Sequence, residues 1–215
     1  MASKTTSSHP ASAELGIAPG ERVLVCVGTV EPRKGQLALA RAFARIEPER
    51  RRGAALYLVG AGDTAYARAL RDFVARGDLT SVHVVDIDPD ITRWYVAADV
   101  LVSASDVESM PRTMIEAMLV GRPVAGVDAF GVGELVQEGL SGWLCPPRDL
   151  VPLTEVLRRA VVTGGSALDA RGAAARERVL QRHDSAGYIA HVTDRLRGWL
   201  SETPSATPSD VTEPG

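Results

Sequence analysis

The chain has 215 residues, 45% of them hydrophobic, and a formal net charge of −3. This length suits one well-buried domain, or at most two small ones. The balanced charge gives no reason to expect nucleic acid as a partner, and no apolar run reaches the roughly 18 residues of a membrane span. Two cysteines are too few for a disulfide framework, so we expect reduced thiols in a cytoplasmic protein.

Short apolar runs alternate with longer helical patterns along the chain. Strands are predicted at 23–27, 56–59, 82–85, 100–102, 124–127 and 142–145, and helices at 35–45, 64–76, 91–98, 111–120, 131–137, 149–163, 167–182 and 185–199. Apolar strands that each precede a helix indicate a parallel sheet covered on both faces. We therefore predict one doubly wound, Rossmann-like α/β domain over 15–200, between disordered tails at 1–14 and 201–215.

A basic pair follows the first predicted strand. Gly28 gives the strand a tight exit, and Arg33 and Lys34 come just before the next helix. Two cations in a strand-to-helix loop can neutralise a diphosphate. A solvated basic pair is an equally good interpretation, because the sequence alone does not separate the two.

The loops after the second and third strands carry weaker signals. Gly60 and Gly62 resemble the start of a dinucleotide fingerprint, but the third glycine is absent and a tight turn explains the pair better. Asp86 and Asp88 could hold Mg²⁺ or Mn²⁺ against a diphosphate. The favoured alternative is that Asp88 or Asp90 caps the following helix.

Two glutamates stand eight positions apart after the fourth strand. Pro111 lies between them and suits the first position of a helix, which places Glu108 in the preceding loop and Glu116 about 7.5 Å along the helix axis. A helix N-terminus between two acids fits a ligand with phosphates in the middle and hydroxyl groups at both ends. Solvated surface is the ordinary explanation of such spacing, and the buried strand before Glu108 argues against it.

Glycines also precede a predicted helix after the fifth strand. The segment Phe130-Gly131-Val132-Gly133-Glu134 could bring backbone N–H groups to a ligand, or Glu134 could simply complement the helix dipole. The four histidines show no metal-ligand spacing, and we expect His83 to be packed among valines of its strand. The two glutamates are therefore better interpreted as hydroxyl-binding groups than as a general acid and base.

Six motifs in register resemble the C-terminal, nucleotide-sugar-binding half of retaining family 4 glycosyltransferases, which have the GT-B fold. The resemblance runs from about residue 15 to 159, and its motifs are VGTVEPRKG at 27–35, VGAG at 59–62, AADVLV at 97–102, ESMPRTMIEAM at 108–118, GRPV at 121–124 and GLSGWL at 139–144. The family transfers sugars from nucleotide diphosphates, such as UDP or GDP, and needs no metal or other cofactor.

The resemblance also implies roles for individual residues. Arg33 and Lys34 match the diphosphate ligands, Glu116 the acid that binds the ribose hydroxyls, and Glu108 the acid that meets the donor sugar. Catalytic roles are thereby implied for Glu108, Arg33 and Lys34. The remaining donor-binding positions are Gly28, Thr29, Gly60, Ser109, Met110, Pro111 and Arg112.

The chain departs from the family in three respects. Thr29 stands where many members have arginine, which puts one phosphate contact in doubt, and Asp86 stands where many have glycine, which leaves recognition of the base open. Only fourteen residues precede position 15, where the resemblance implies an acceptor-binding half that carries a catalytic histidine. We therefore expect a donor-binding domain that needs this half for activity; the alternatives are a nucleotide-binding module without turnover and a metal-dependent transferase that uses Asp86 and Asp88.

Overall fold

The computed structural model describes residues 10–108, 111–182 and 193–194. Contacts divide the chain into two compact units, Met1–Leu180 and Gln181–Gly215. The first unit carries the sheet, and the fold is described for that unit. Ser109 and Met110, two of the predicted donor-binding residues, lie outside the described residues, as does nearly all of the helix predicted at 185–199.

A six-stranded, all-parallel sheet forms the centre of the first unit. Its strands are β1 (Arg22–Val27), β2 (Ala54–Ala61), β3 (Val82–Asp86), β4 (Val100–Ser103), β5 (Val124–Val127) and β6 (Gly142–Cys145). Their spatial order is β3-β2-β1-β4-β5-β6. The strands β2 and β3 are thus added on one side of β1, and β4 to β6 on the other side, so the order of the strands reverses between β1 and β4. This is the doubly wound order that the alternation of strands and helices predicted.

Helices cover both faces of the sheet. They are α1 (Pro10–Glu14), α2 (Gln36–Ala44), α3 (Pro48–Arg51), α4 (Ala65–Arg76), α5 (Thr92–Ala97), α6 (Arg112–Leu119), α7 (Val132–Leu135), α8 (Leu150–Val162) and α9 (Gly165–Arg182), and a 3-10 turn spans Pro32–Lys34. Successive side chains of a strand point to opposite faces, and the core divides accordingly. In β1, Leu24 and Cys26 pack in the cluster that includes residues of α2 and α8, while Val23 and Val25 pack in the cluster with α5.

The buried carboxylate of Asp99 connects the start of β1 to the start of β4. Asp99 is 4% exposed, and its Oδ2 accepts the N–H of Val23 at 2.8 Å. The guanidinium of Arg22 lies 3.9 Å from the other carboxylate oxygen. A buried charge is tolerated when it is paired and hydrogen-bonded, as here, and the contact helps to hold these two strands side by side.

The structure corrects three details of the predicted elements. Residues Pro10–Glu14, which were expected in a disordered tail, form α1, because Ala11 is an apolar side chain that packs in the core. Gly60 lies inside β2, at a register shift between Val59 and Ala61, rather than in a turn after it. Helix α6 begins at Arg112 with Pro111 as its N-cap, one residue later than predicted.

Candidate functional site

The loops after β1 and β4 meet at the point where the strand order reverses. The N–H of Asp106 donates to the carbonyl of Arg33 at 2.9 Å. Gly35 makes the close approach possible: its φ is +68°, and a Cβ there would lie 2.2 Å from the carbonyl oxygen of Ala104. In open parallel sheets this crevice, beyond the carboxyl ends of the strands, is where ligands bind.

A salt bridge joins the two loops. The Nζ of Lys34 donates to the Oε2 of Glu108 at 2.7 Å, and the two side chains are only 20% and 14% exposed. The residues are 74 positions apart in the chain, so the fold alone brings them together. The two members of the predicted site therefore neutralise each other across the crevice.

Arg33 extends towards solvent from the same turn. Its side chain is 58% exposed and pairs with the carboxylate of Glu31 at 2.8 Å. A pair of this exposure contributes little to stability, because water screens the charges. The guanidinium is thus accessible, and its forked donors suit a phosphate group.

The second glutamate has a tyrosine as its partner. The hydroxyl of Tyr95 on α5 donates to the Oε2 of Glu116 at 2.7 Å, and Tyr95 is 3% exposed. Burial raises the pKa of Tyr95, and the hydrogen bond to Glu116 raises it further. The hydroxyl therefore remains a donor at neutral pH and fixes the carboxylate. Across 10–108 and 111–182, the other oxygen of Glu116 accepts no hydrogen bond.

The N-terminus of α6 lies between the two acids, as predicted. Pro111 is buried at the cap position, and no side chain of the described residues caps this end. The N–H groups of Met114 and Ile115 donate to the carbonyl of Pro111. The N–H groups of Arg112 and Thr113 come earlier in the first turn and have no acceptor within the helix. Exposed first-turn N–H groups are a ready site for an anion.

The predicted glycines hold the β1 loop against the end of β2. The N–H of Gly28 donates to the carbonyl of Val59, and that of Val30 to the carbonyl of Gly60. Gly60 has a φ of +116°, and a Cβ there would lie 2.4 Å from the carbonyl oxygen of Gly28. Glycine at this position is therefore required by the close contact of two backbones. Thr29 is exposed between them.

The aspartates after β3 have separate partners and do not converge. Asp86 pairs with Arg71 at 2.6 Å. Asp88 accepts hydrogen bonds from Arg93 and from the indole N–H of Trp94, at 2.6 and 2.7 Å. The carboxylate of Asp90 accepts the N–H of Thr92 at 3.2 Å, but the N-cap of α5 is Ile91 and no side chain of the described residues caps this helix, so the predicted N-cap role is not confirmed. Among the described residues, no group of three or more His, Cys, Asp or Glu side chains could hold a metal ion.

The loop after β5 borders the same crevice. The N–H of Gly131 donates to the carbonyl of Glu108 at 3.3 Å, so this loop supports the backbone from which Glu108 projects. Phe130, with a φ of +40°, is 77% exposed, and Glu134 points from α7 into solvent. Two of the backbone N–H groups that could have reached a ligand, those of Gly131 and Val132, are thus bonded within the protein. His83 is half-buried and stacks on Tyr57, with ring centroids 4.6 Å apart.

Two residues of the site carried no signal in the sequence. Tyr95 lies in an apolar helix, where nothing identifies its hydroxyl as the partner of Glu116. Gln36 is the first residue of α2 and is 1% exposed, although a glutamine at a helix start is ordinarily solvated. Gln36 could have been noticed as a polar residue on the buried face of an amphipathic helix, but the groups to which it bonds could not have been predicted.

The fold and the site define a Rossmann-like domain whose crevice presents cations, a helix N-terminus and two acids. Residues 21–162 match the family described as "Glycosyl transferases group 1", and the chain belongs to that family. In the part of the chain that the structure describes, no helix is long and apolar enough to cross a lipid bilayer.

Curated relatives are glycosyltransferases of greater length. The D-inositol 3-phosphate glycosyltransferase of Streptosporangium roseum is 32% identical over 169 residues, which are 74% of this chain and 38% of that protein. The amylovoran biosynthesis glycosyltransferase AmsK of Erwinia amylovora is 34% identical over 111 residues, 47% of this chain and 27% of the relative. The chain thus spans well under half of the curated relatives that it matches.

Solved glycosyltransferase structures contain the same fold. Anabaena HepE in complex with UDP superposes with a TM-score of 0.78 and 25% identity, covering 92% of this chain and 54% of HepE. Sucrose-phosphate synthase from Thermosynechococcus elongatus gives a TM-score of 0.75 and 27% identity over 90% of this chain and 49% of the synthase. The sheet is therefore the Rossmann-like sheet that occurs in GT-B glycosyltransferases, as predicted.

Proposed function

We propose that this chain is the donor-binding, C-terminal domain of a retaining family 4 glycosyltransferase. It binds a nucleotide diphosphate sugar, without a metal ion, for transfer of the sugar to an acceptor held by another domain. The observation that carries the proposal is the salt bridge between Lys34 and Glu108 across the crevice, in the loop that leads to α6, whose N-terminus no side chain of the described residues caps.

The central part of the crevice suits a diphosphate. Lys34 and the exposed guanidinium of Arg33 supply two positive charges from one turn. The first-turn N–H groups of α6, including that of Arg112, add donors and the positive end of a helix dipole. A diphosphate bound here is neutralised without a divalent cation.

The two acids suit the hydroxyl groups at either end of the donor. Glu116, held by Tyr95 through one carboxylate oxygen, accepts hydrogen bonds from the ribose at the other. Glu108 accepts from the transferred sugar once Lys34 has turned to the phosphates. Ribose hydroxyls prefer a charged acceptor, because charge-assisted hydrogen bonds are roughly twice as strong as neutral ones.

The same groups serve the chemical step. When the bond between the sugar and the diphosphate breaks, negative charge grows on the departing phosphate oxygens. With Lys34 already turned to the phosphates of the bound donor, Arg33, Lys34 and the α6 N–H groups stabilise that charge as it develops and lower the barrier to bond breaking. Glu108 orients the sugar that is to be transferred. We propose that the acceptor and any further catalytic group come from the acceptor-binding domain.

Nucleotide titration tests the donor site. Isothermal titration of the chain with UDP, GDP and ADP, each in EDTA and in Mg²⁺, should show binding of at least one nucleotide in EDTA. UDP is the first probe, because HepE is described in complex with UDP. Arg33→Ala and Glu116→Ala should each weaken that binding at least tenfold, since each removes a charge-assisted contact worth about 1.5–3 kcal/mol.

The controls remove the same side chains from a distant surface pair. Arg158→Ala and Glu155→Ala break an exposed ion pair on α8 and should leave the affinity unchanged. Binding only in Mg²⁺ would favour the metal-dependent transferase, and no binding of any nucleotide would refute the donor site. Sugar transfer to any acceptor by this chain alone would exclude the alternative of a binding module without turnover.

A further inference from the structure

We infer that Gln36 is a positioning residue for the loop that presents Arg33 and Lys34. The inference rests on the proposed function, because that loop is the one assigned to the diphosphate. Gln36 itself lies under the loop: its side chain is 1% exposed, so it does not touch a ligand in the crevice.

Both ends of the Gln36 amide bond to the backbone of the loop. Its Nε2 donates to the carbonyl of Thr29 at 2.9 Å, and its Oε1 accepts the N–H of Glu31 at 3.4 Å. The amide thus spans the loop from below and fixes the peptide groups on both sides of Val30. Burying a neutral amide is unfavourable unless such bonds compensate it.

These bonds determine where the two cations stand. Glu31 pairs with Arg33, so the backbone of Glu31 sets the start of the turn from which the guanidinium projects. The N–H of Lys34 donates to the carbonyl of Glu31, and that of Gly35 to the carbonyl of Pro32. A displaced Glu31 therefore displaces the turn that carries both charges.

The remaining supports of the loop hold its two ends. Gly28 and Val30 bond to the end of β2, and the carbonyl of Arg33 accepts the N–H of Asp106. The hydrogen bonds of Gln36 flank that of Val30, at Thr29 and Glu31, and the one at Glu31 lies between Val30 and the turn that carries the two cations. Removal of the amide is therefore expected to loosen the middle of the loop while the sheet around it persists.

The variant Gln36→Met tests the inference, because methionine has a similar size and makes neither hydrogen bond. We expect the dissociation constant for UDP, or for whichever nucleotide binds the wild-type chain, to rise about tenfold. The matched control is Ser141→Ala. Ser141 is also 1% exposed, and its hydroxyl accepts the N–H of Gln137 at 2.8 Å, in the loop before β6. This control should lower the melting temperature comparably and change the affinity less than twofold.

A double-mutant cycle separates positioning from a general structural role. In the Arg33→Ala background, Gln36→Met should weaken binding by about threefold or less, because part of its effect acts through Arg33. Should Gln36→Met fold poorly by circular dichroism, Gln36→Leu likewise removes both hydrogen bonds without burying a charge. Its dissociation constant should rise similarly.

Three results would overturn the inference. They are an unchanged affinity in Gln36→Met, an equal loss of affinity in Ser141→Ala, and a full tenfold effect that persists in the Arg33→Ala background. A wild-type chain that binds no nucleotide would refute the proposed function together with this inference, whereas the other three results leave the donor site standing.

Discussion

Lys34 and Glu108 pair across the crevice, so a ligand that binds to these charged groups competes with their contact. Both side chains are largely shielded from water, which makes the pair stronger than an ordinary surface salt bridge. Their separation in the sequence gave no indication of this contact. The residues themselves could be predicted as site members, because each follows the carboxyl end of a predicted strand.

The variant Glu108→Gln should bind free UDP more tightly than the wild-type chain. Loss of the carboxylate charge releases Lys34 from a pair worth roughly 1 kcal/mol, and affinity should therefore rise about threefold to tenfold. On the proposed function, the nucleotide sugar binds more tightly than the free nucleotide, and this difference should shrink at the same time because the charged acceptor for the sugar is gone. Isothermal titration with both ligands measures the two effects.

Glu155→Gln is the control for this experiment, since it neutralises an exposed pair on α8. Its UDP affinity should match that of the wild-type chain. Weaker UDP binding in Glu108→Gln would show that Glu108 supports the loop rather than competing for Lys34.

Helix α5 depends on a carboxylate that the sequence placed among possible metal ligands. Asp88 has a side chain only 7% exposed and receives hydrogen bonds from Arg93 and Trp94. Burial alone would raise the pKa of Asp88, but the hydrogen bonds from Arg93, Trp94 and the N–H of Asp90 lower it below its ordinary value. Asp88 therefore anchors the helix from which Tyr95 reaches Glu116.

The pH dependence of folding tests this role. Because the pKa of Asp88 is lower in the folded than in the unfolded chain, its charged form stabilises the fold above the unfolded value of about 3.9. That contribution disappears as the pH falls through the folded pKa. The free energy of unfolding of the wild-type chain should exceed that of Asp88→Asn by a constant amount from pH 5 to 7, and the difference should shrink below pH 4.

Urea denaturation at several pH values gives these free energies. Asp72→Asn, which alters an exposed pair with Arg76 on α4, should show no such loss of difference. A difference between wild type and Asp88→Asn that stays constant down to pH 3 would contradict the role of the charge.

Strands and long helices were predictable to within about one residue at most ends, for a simple physical reason. A strand buried on both faces must be continuously apolar, and an amphipathic helix repeats its apolar positions. The short elements were not predictable in this way. Helix α1 has five residues, and its order comes from side chains such as Ala11 that pack against distant parts of the chain. The burial of Gln36 was not predictable either, because its hydrogen bonds to Thr29 and Glu31 depend on how the loop after β1 folds over it.

At the scale of the whole unit, the two cysteines lie in strands at different positions in the sheet. Cys26 lies in the interior strand β1, and Cys145 in the edge strand β6. Both are buried, and burial raises the pKa of the Cys26 thiol to about 12 and that of Cys145 to about 11. Few thiolates form at pH 8, so neither residue should react with a thiol reagent in the native protein.

In moderate urea, Cys145 should react before Cys26, because an edge strand can open without disrupting the rest of the sheet. Mass spectrometry of samples labelled with iodoacetamide over time gives both rates, and the variants Cys26→Ser and Cys145→Ser assign the masses. Equal rates would mean that the sheet opens only as a unit, and faster labelling of Cys26 would place the weak point at the centre.

The salt bridge across the crevice has a further consequence for the choice of ligand. Inorganic phosphate could offer Lys34 a new partner, but it would leave Glu108 with none. A complete donor supplies an anion to one residue and hydroxyl groups to the other, so only that molecule compensates both for the bond they give up. On the proposed function, this exchange of partners would make the domain favour its donor over free phosphate.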